Sequence, residues 1–154
     1  NLLLRDNVKM HFTASAWVLN PSKNKVLMLY HNIYQSWSWS GGHADGEGDL
    51  LSVAMKEVKE ESGLVSLKPL SDSPISIEIL GVQPHYKKQK YVSAHLHLNY
   101  TFLLHNTKEE KLKICPEENS KVGWLSPDEA VCSSTEAWMK PIYKKLNQKM
   151  KEYL

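Results

Sequence analysis

The segment from Gly41 to Leu64 constrains this chain more than any other. After the Gly41-Gly42 pair and a loop with Asp45, Gly46 and Gly48, a helical pattern runs from Asp49 to Ser62. Asp49 is suited to cap the helix start, because its side-chain oxygen can accept an otherwise unpaired N–H of the first turn. Leu50, Leu51, Ala54, Met55 and Val58 fall on one arc of the wheel, and Gly63 stands where a glycine commonly ends a helix. A helix with one apolar stripe must lay it against another element, so the rest of the chain has to supply a sheet or a bundle.

The same helix carries a charge pattern that folding does not ask for. Glu57, Glu60 and Glu61 lie within about 100° of one another along one edge of the apolar arc. Glu57 and Glu61 are a like-charge i,i+4 pair, and all three sit near the helix C-terminus, where the dipole disfavours negative charge. A solvated acidic face offset by Lys56 and Lys59 is the bland reading. A bound divalent cation would reverse every one of these penalties, and hard carboxylate oxygens suit Mg²⁺, with Mn²⁺ as the alternative.

The flanking segments read mostly as strands. His11–Asn20 mixes β-branched and aromatic residues, ends in the turn-forming Asn20-Pro21-Ser22-Lys23-Asn24, and is followed by the apolar run Lys25–His31, which together suggest a hairpin. Ser36–Ser40 alternates with period two, placing Trp37 and Trp39 on one face, and Gly41-Gly42 is expected to break that strand. Pro74–Val82 (with Ile75, Ile77 and Ile79), Val92–His105 and Val122–Leu125 are further strand candidates. Ser126-Pro127-Asp128-Glu129 has the form of a helix start, and the segment from Glu136, with Trp138, Ile142, Tyr143, Leu146 and Met150, reads as a terminal amphipathic helix. Strands, helix, strands and helix in one chain suggest a mixed sheet covered by helices.

Bulk composition narrows the function. A length of 154 residues fits one domain, taken here as residues 1–154. A net charge of +2 gives no ground for expecting nucleic acid or membrane as partner, and the lysines of the last fourteen residues read as a solvated helix face. No apolar run approaches the roughly 20 residues of a membrane span, and Asn1–Arg5 is too short for a signal peptide. Cys115 and Cys132 do not have metal-type spacing; two lone thiols fit a reducing compartment, and the expected location is the cytoplasm.

The pattern of Gly42, Glu57, Val58, Glu60, Glu61, Gly63 and Leu64 resembles the Nudix box, G-x5-E-x7-R-E-U-x-E-E-x-G-U with U a bulky aliphatic residue. Seven of nine specified positions match, an agreement expected by chance in fewer than about one chain in a thousand. The approach Trp37-Ser-Trp-Ser40-Gly-Gly and the segment Glu117–Leu125 also resemble the family, so the likeness extends from about Lys9 to Leu146. It implies the Nudix fold, a mixed β-sheet sandwiched between helices (α/β/α). Two positions depart: Gly48 replaces the first box glutamate, with Glu47 beside it, and Lys56 replaces the arginine, keeping the charge but losing the planar two-pronged donor.

By this resemblance the chain would hydrolyse the diphosphate linkage of a nucleoside diphosphate joined to another moiety X. Glu57, Glu60 and Glu61 would hold Mg²⁺, Lys56 would orient the helix carboxylates, and the Gly41-Gly42 backbone would let phosphates approach closely. Glu118, just before a strand, is the candidate general base outside the box. Trp37, with Tyr34 and Tyr86, offers aromatic faces for a nucleobase, while Trp39 is expected to fill the core because one strand face must be buried. The implied partner is a small nucleotide-derived diphosphate, and a homodimer is left open. Two other readings stand beside this one: a Nudix-fold module that binds a nucleotide without turnover, and an isomerase of the isopentenyl-diphosphate type. Neither cysteine lies near the box in sequence, which counts against the isomerase.

One strand lies outside the box's account. In Ala94–Phe102, His95, His97, Asn99 and Thr101 share one face, and Leu96, Leu98, Tyr100 and Phe102 the other. Solvent-facing strand positions rarely ask for two histidines and an asparagine in a row, so His95 and His97 are expected to line the substrate cleft. No third nitrogen ligand is apparent near them in sequence, which argues against a transition-metal site.

Overall fold

The computed structural model describes residues 1–154. The expected hairpin is present: β1 (Met10–Leu19) and β2 (Val26–His31) pair antiparallel, with Leu19 opposite Val26. Asn20 closes the turn by accepting the backbone N–H groups of Asn24 and Lys25, each at 2.9 Å. β3 (Ser36–Ser38) lies against β2 and β4 (Ser40–His43) against β1. There follow α1 (Leu50–Ser62), β5 (Leu67–Pro69), β6 (Ser76–Val82), the small hairpin β7 (His85–Lys87) and β8 (Lys90–Val92), β9 (His95–Asn106), β10 (Asn119–Leu125), α2 (Pro127–Cys132) and α3 (Lys140–Met150).

The main sheet has eight strands in the order β10–β2–β1–β9–β5, with β3, β4 and β6 pairing onto β2, β1 and β9. Only β1 and β9 run parallel, with His11 opposite His97 and Ser15 opposite Thr101, so the sheet is mixed. Alternation along β1 defines its faces. Ala14, Ala16 and Val18 join Phe102 and Leu104 beneath Leu50, Val53, Ala54 and Val58 of α1. Trp17 and Leu19 join Leu103 beneath Ala130 and Val131 of α2 and Tyr143, Leu146 and Met150 of α3. Each fully buried aliphatic side chain contributes about 1.5–3 kcal/mol relative to exposure, so both faces hold helices firmly. The result is the expected α/β/α sandwich.

The helix ends follow the sequence. Asp49 Oδ1 accepts the Ser52 N–H at 3.3 Å, and Gly63 takes the left-handed conformation (φ 79°) that closes α1. Ser126 and Glu129 form a reciprocal capping box at the start of α2.

Other expectations are corrected. Gly41 and Gly42 do not break the strand but form the body of β4, opposite Ser15 and Ala14. Trp37 and Trp39 do share a side, yet Ser36, Ser38 and Ser40 are the buried residues and both tryptophans are half-buried. The serines lose to the tryptophans in apolarity but are small enough to fit where strands and helices meet closely. Ile75 is buried, whereas Ile77 and Ile79 are 60% and 69% exposed. They face the side of the sheet covered by α1, which at about 20 Å long does not reach β6. Trp138 is likewise exposed, lying in a short 3-10 turn (Ala137–Met139) that precedes α3.

Candidate active site

β4 and the last turns of α1 build the carboxylate site together. Gly42 faces the helix, and a Cβ placed on it would lie 2.3 Å from Glu57 Cδ. The Glu57 carboxylate therefore fills the space that only a glycine leaves. Glu61 is 4% exposed; its Oε1 accepts the Ser40 hydroxyl at 2.8 Å and the Gly41 N–H at 3.1 Å. Glu60 turns outward, with Oε1 3.8 Å from Lys56 Nζ, and both side chains are exposed.

The helix C-terminus is held by the chain that follows β9. Asn119 Nδ2 donates to the Glu61 carbonyl at 3.0 Å, and the Lys113 N–H donates to the Ser62 carbonyl at 2.8 Å. Two of the carbonyls left over at a helix end are thereby satisfied. This also places Glu118, one residue before Asn119, within electrostatic reach of both Glu57 and Glu61.

Burial pushes the Glu57 carboxyl up to about 7, with the charge of Glu60 adding to the rise and Lys56 opposing it. Burial pushes Glu61 up to about 8, partly offset by the Ser40 hydrogen bond and reinforced by Glu57. Two desolvated carboxylates, an outer carboxylate and a fourth acid within electrostatic reach offer only oxygen donors. Such a set fits a hard divalent cation, which would offset the repulsion that the protein leaves in place.

The two departures from the box are visible here. Nothing lies within 4 Å of a Cβ added at Gly48. Glu47 is committed elsewhere, its Oε1 accepting the Asp49 N–H at 2.8 Å ahead of the helix. Lys56 makes a single long contact with Glu60 in place of a two-pronged one.

Of the other candidates, Trp37 packs edge-on to Tyr30 (ring centroids 5.9 Å apart) and against the core cluster under α2 and α3, away from the face that carries α1. His95 and His97 also lie on that second face, so the expectation that they line a cleft beside the helix carboxylates is not met: strand alternation turns them away from α1. They are half-buried and their Nε2 atoms are 3.1 Å apart. The expectation that no third nitrogen accompanies them is wrong. His11 of β1 and His43 of β4 join them, with His11 centred 4.9, 5.0 and 5.1 Å from His95, His97 and His43. Asn99 continues the polar row, its Oδ1 accepting the hydroxyls of Thr13 and Ser15 at 2.9 Å each.

Sequence reasoning thus missed Ser40, Asn119, His11 and His43. Ser40 and His43 adjoin the glycine pair, and Asn119 adjoins Glu118, so proximity in sequence was the available signal. For His11 there was none, because its place depends on β1 pairing with a strand far along the chain.

A carboxylate helix thus faces a glycine strand in an α/β/α sandwich, and the family that the chain matches consists of hydrolases of diphosphate bonds. The Nudix domain family model matches residues 9–146, and the chain belongs to that family, whose enzymes generally use divalent metal ions. No curated protein matches the sequence. Among solved structures, the chain is similar to the binary complex of a C. elegans Ap4A hydrolase, with TM-score 0.69 and 18% identity over 92% of this chain and 98% of that one. It is similar also to a NUDIX family hydrolase from Clostridium perfringens (TM-score 0.66, 17% identity, 92% and 97% covered). A third is the E. coli dihydroneopterin triphosphate pyrophosphohydrolase (TM-score 0.63, 16% identity, 87% and 92% covered).

Proposed function

We propose that residues 1–154 act as one Nudix domain that cleaves the diphosphate linkage of a nucleoside diphosphate joined to another moiety X, with Mg²⁺ held by Glu57, Glu60 and Glu61. The observation that carries this reading is the fit of Glu57 into the space left by Gly42, beside Glu61 anchored to Ser40 and Gly41. Mn²⁺ satisfies the same donors. When bound, the cation neutralises phosphate charge and makes the attacking water more acidic.

The chain's own residues do the rest. Gly41 and Gly42 offer backbone without side chains along which the phosphates lie. Glu118 stands ready to take the proton of the attacking water, since its charge reaches both helix carboxylates. Lys56 holds Glu60 and lowers the cost of charge on Glu57. The substrate is a small molecule in the cytoplasm, and two chains are free to associate as a homodimer.

A screen of nucleoside diphosphate-X compounds with Mg²⁺ or Mn²⁺, read by release of phosphate-bearing products, tests the reading. Divalent-dependent turnover that Glu61→Gln removes is the expected result. Tight binding of these compounds with no cleavage under either cation would overturn it.

A further inference from the structure

We propose a second metal site: His11, His95 and His97, with His43 beside them, bind a transition-metal dication of the zinc class on the sheet face opposite the carboxylate helix. One ring nitrogen from each of His11, His95 and His97 lies within 4.8 Å of the other two. A four-coordinate site with metal–nitrogen bonds of about 2.0–2.1 Å sets its nitrogens about 3.3 Å apart, so small side-chain rotations close the set. His95 and His97 already meet that spacing, at 3.1 Å.

The tautomers are arranged for ligation. His11 Nδ1 is 3.1 Å from the Asn7 carbonyl, and His95 Nδ1 is 2.8 Å from the Ser93 carbonyl. A carbonyl can only accept, so each Nδ1 carries the proton and each Nε2 a lone pair; that of His95 accepts the Nε2–H of His97, a proton that a bound cation would displace. Metal-binding imidazoles are fixed by this kind of outer hydrogen bond. His11 is 4% exposed, and its Nε2 has no hydrogen-bond partner at all. A buried polar atom left unpaired is costly, and a cation shared with His95 and His97 supplies the missing partner.

The rings of the cluster are held in the form that ligates. Burial holds His43 and His97 near 3, followed for His43 by the charge of Arg5 and for His97 by the neighbouring imidazoles, so these rings are neutral and able to donate at neutral pH. The charge of Arg5 is partly offset by its two-pronged contact to Asp45 at 2.8 and 2.9 Å. An open cleft of 530 Å³ lined by Val8, Lys9, Val82 and Ser93 reaches His95 and gives ions a way in. Imidazole nitrogen selects zinc, nickel or cobalt over magnesium, so the two sites would sort cations by donor type. His43 directly follows Gly42, and the sheet separates its face from Glu57 and Glu61.

The test uses the full chain stripped of metal, titrated with Zn²⁺ in excess Mg²⁺ and with Co²⁺ as a spectroscopic probe. The expected result is one Zn²⁺ per chain, unaffected by Mg²⁺, and the strong visible absorption of four-coordinate Co²⁺. His95→Gln with His97→Gln should weaken binding by about 100-fold or more, while Glu57→Gln with Glu61→Gln should leave it intact. X-ray absorption on the unmutated zinc-loaded chain, which needs no variant to fold, should show at least three nitrogen neighbours at about 2.0–2.1 Å. Absence of stoichiometric binding, a mainly oxygen shell, or Zn²⁺ affinity lost with the glutamates and kept without the histidines would each overturn the proposal. Failure here leaves the hydrolase reading untouched, because that reading rests on the opposite face.

Discussion

Gly42 and Glu57 share one volume: a methyl group on the first would sit 2.3 Å from the carboxyl carbon of the second. The clash is with the far end of a flexible side chain, so the carboxylate would swing away before the backbone moved. Gly42→Ala should therefore cost no more than about 1–3 kcal/mol in stability, while hydrolysis falls by about tenfold or more. Gly81→Ala, which meets nothing within 4 Å, is the control. Equal activity in the two variants would show that the close approach has no catalytic role.

Glu61→Gln keeps an oxygen able to accept from Ser40 and Gly41 but loses the charge. Turnover should fall about 100-fold or more, and metal-free chain should melt at the same temperature or higher, because repulsion with Glu57 is relieved. Steady-state kinetics and thermal melts on one preparation decide this. Near-normal kcat would remove the helix from the mechanism.

The open space at Gly48 and the single contact of Lys56 are expected to act together. Restoring both box residues, with Gly48→Glu and Lys56→Arg, should raise kcat/KM by more than the product of the single effects, the coupling that a double-mutant cycle isolates. Additive or harmful effects would mean that the supporting role has moved to another acid. Glu47 is a poor candidate, since its carboxylate already accepts the Asp49 N–H.

The raised carboxyls also set a pH dependence. Between their ordinary value of 4.5 and about 7 to 8, folded Glu57 and Glu61 hold protons that the unfolded chain has released. Their contribution to stability is present at low pH and is lost as pH rises through that range. His11, His43 and His97 work oppositely, because their lowered values favour unfolding only below about 6.5. From pH 6.5 to 8 the carboxyl effect alone remains, so the melting temperature in chelator should fall and then level. Added Mg²⁺ should stabilise more as pH rises across the same window. A flat profile in chelator, or one that persists in Glu57→Gln with Glu61→Gln, would refute the assignment.

The helix, its caps and the three glutamates were legible because they rest on local rules: a 3.6-residue period, an oxygen before the first turn and a left-handed glycine after the last. The hairpin and the second capping box were legible for the same reason. Ile77 and Ile79 were not, since alternation reports which residues share a face but not whether a helix is long enough to cover it. The buried serines of β3 and β4 were not legible because apolarity alone favours Trp39 over them as the inner residue. His11 was invisible because only strand pairing brings it to His95 and His97.

The bond between Ser40 and Glu61 spans 21 residues, and that between Thr13 and Asn99 spans 86. Closing the longer loop costs about 1.2 kcal/mol more in chain entropy, and on a growing chain it must wait for the whole of β9. Strand β4 and the start of α1 can assemble on β1 soon after they emerge, leaving the other edge of β1 with unpaired N–H and carbonyl groups. Such an edge is a template for any extended segment, including a second nascent copy. The parallel seam between β1 and β9 is thus the step that ends the exposed interval, and its late arrival makes it the point where synthesis and aggregation compete.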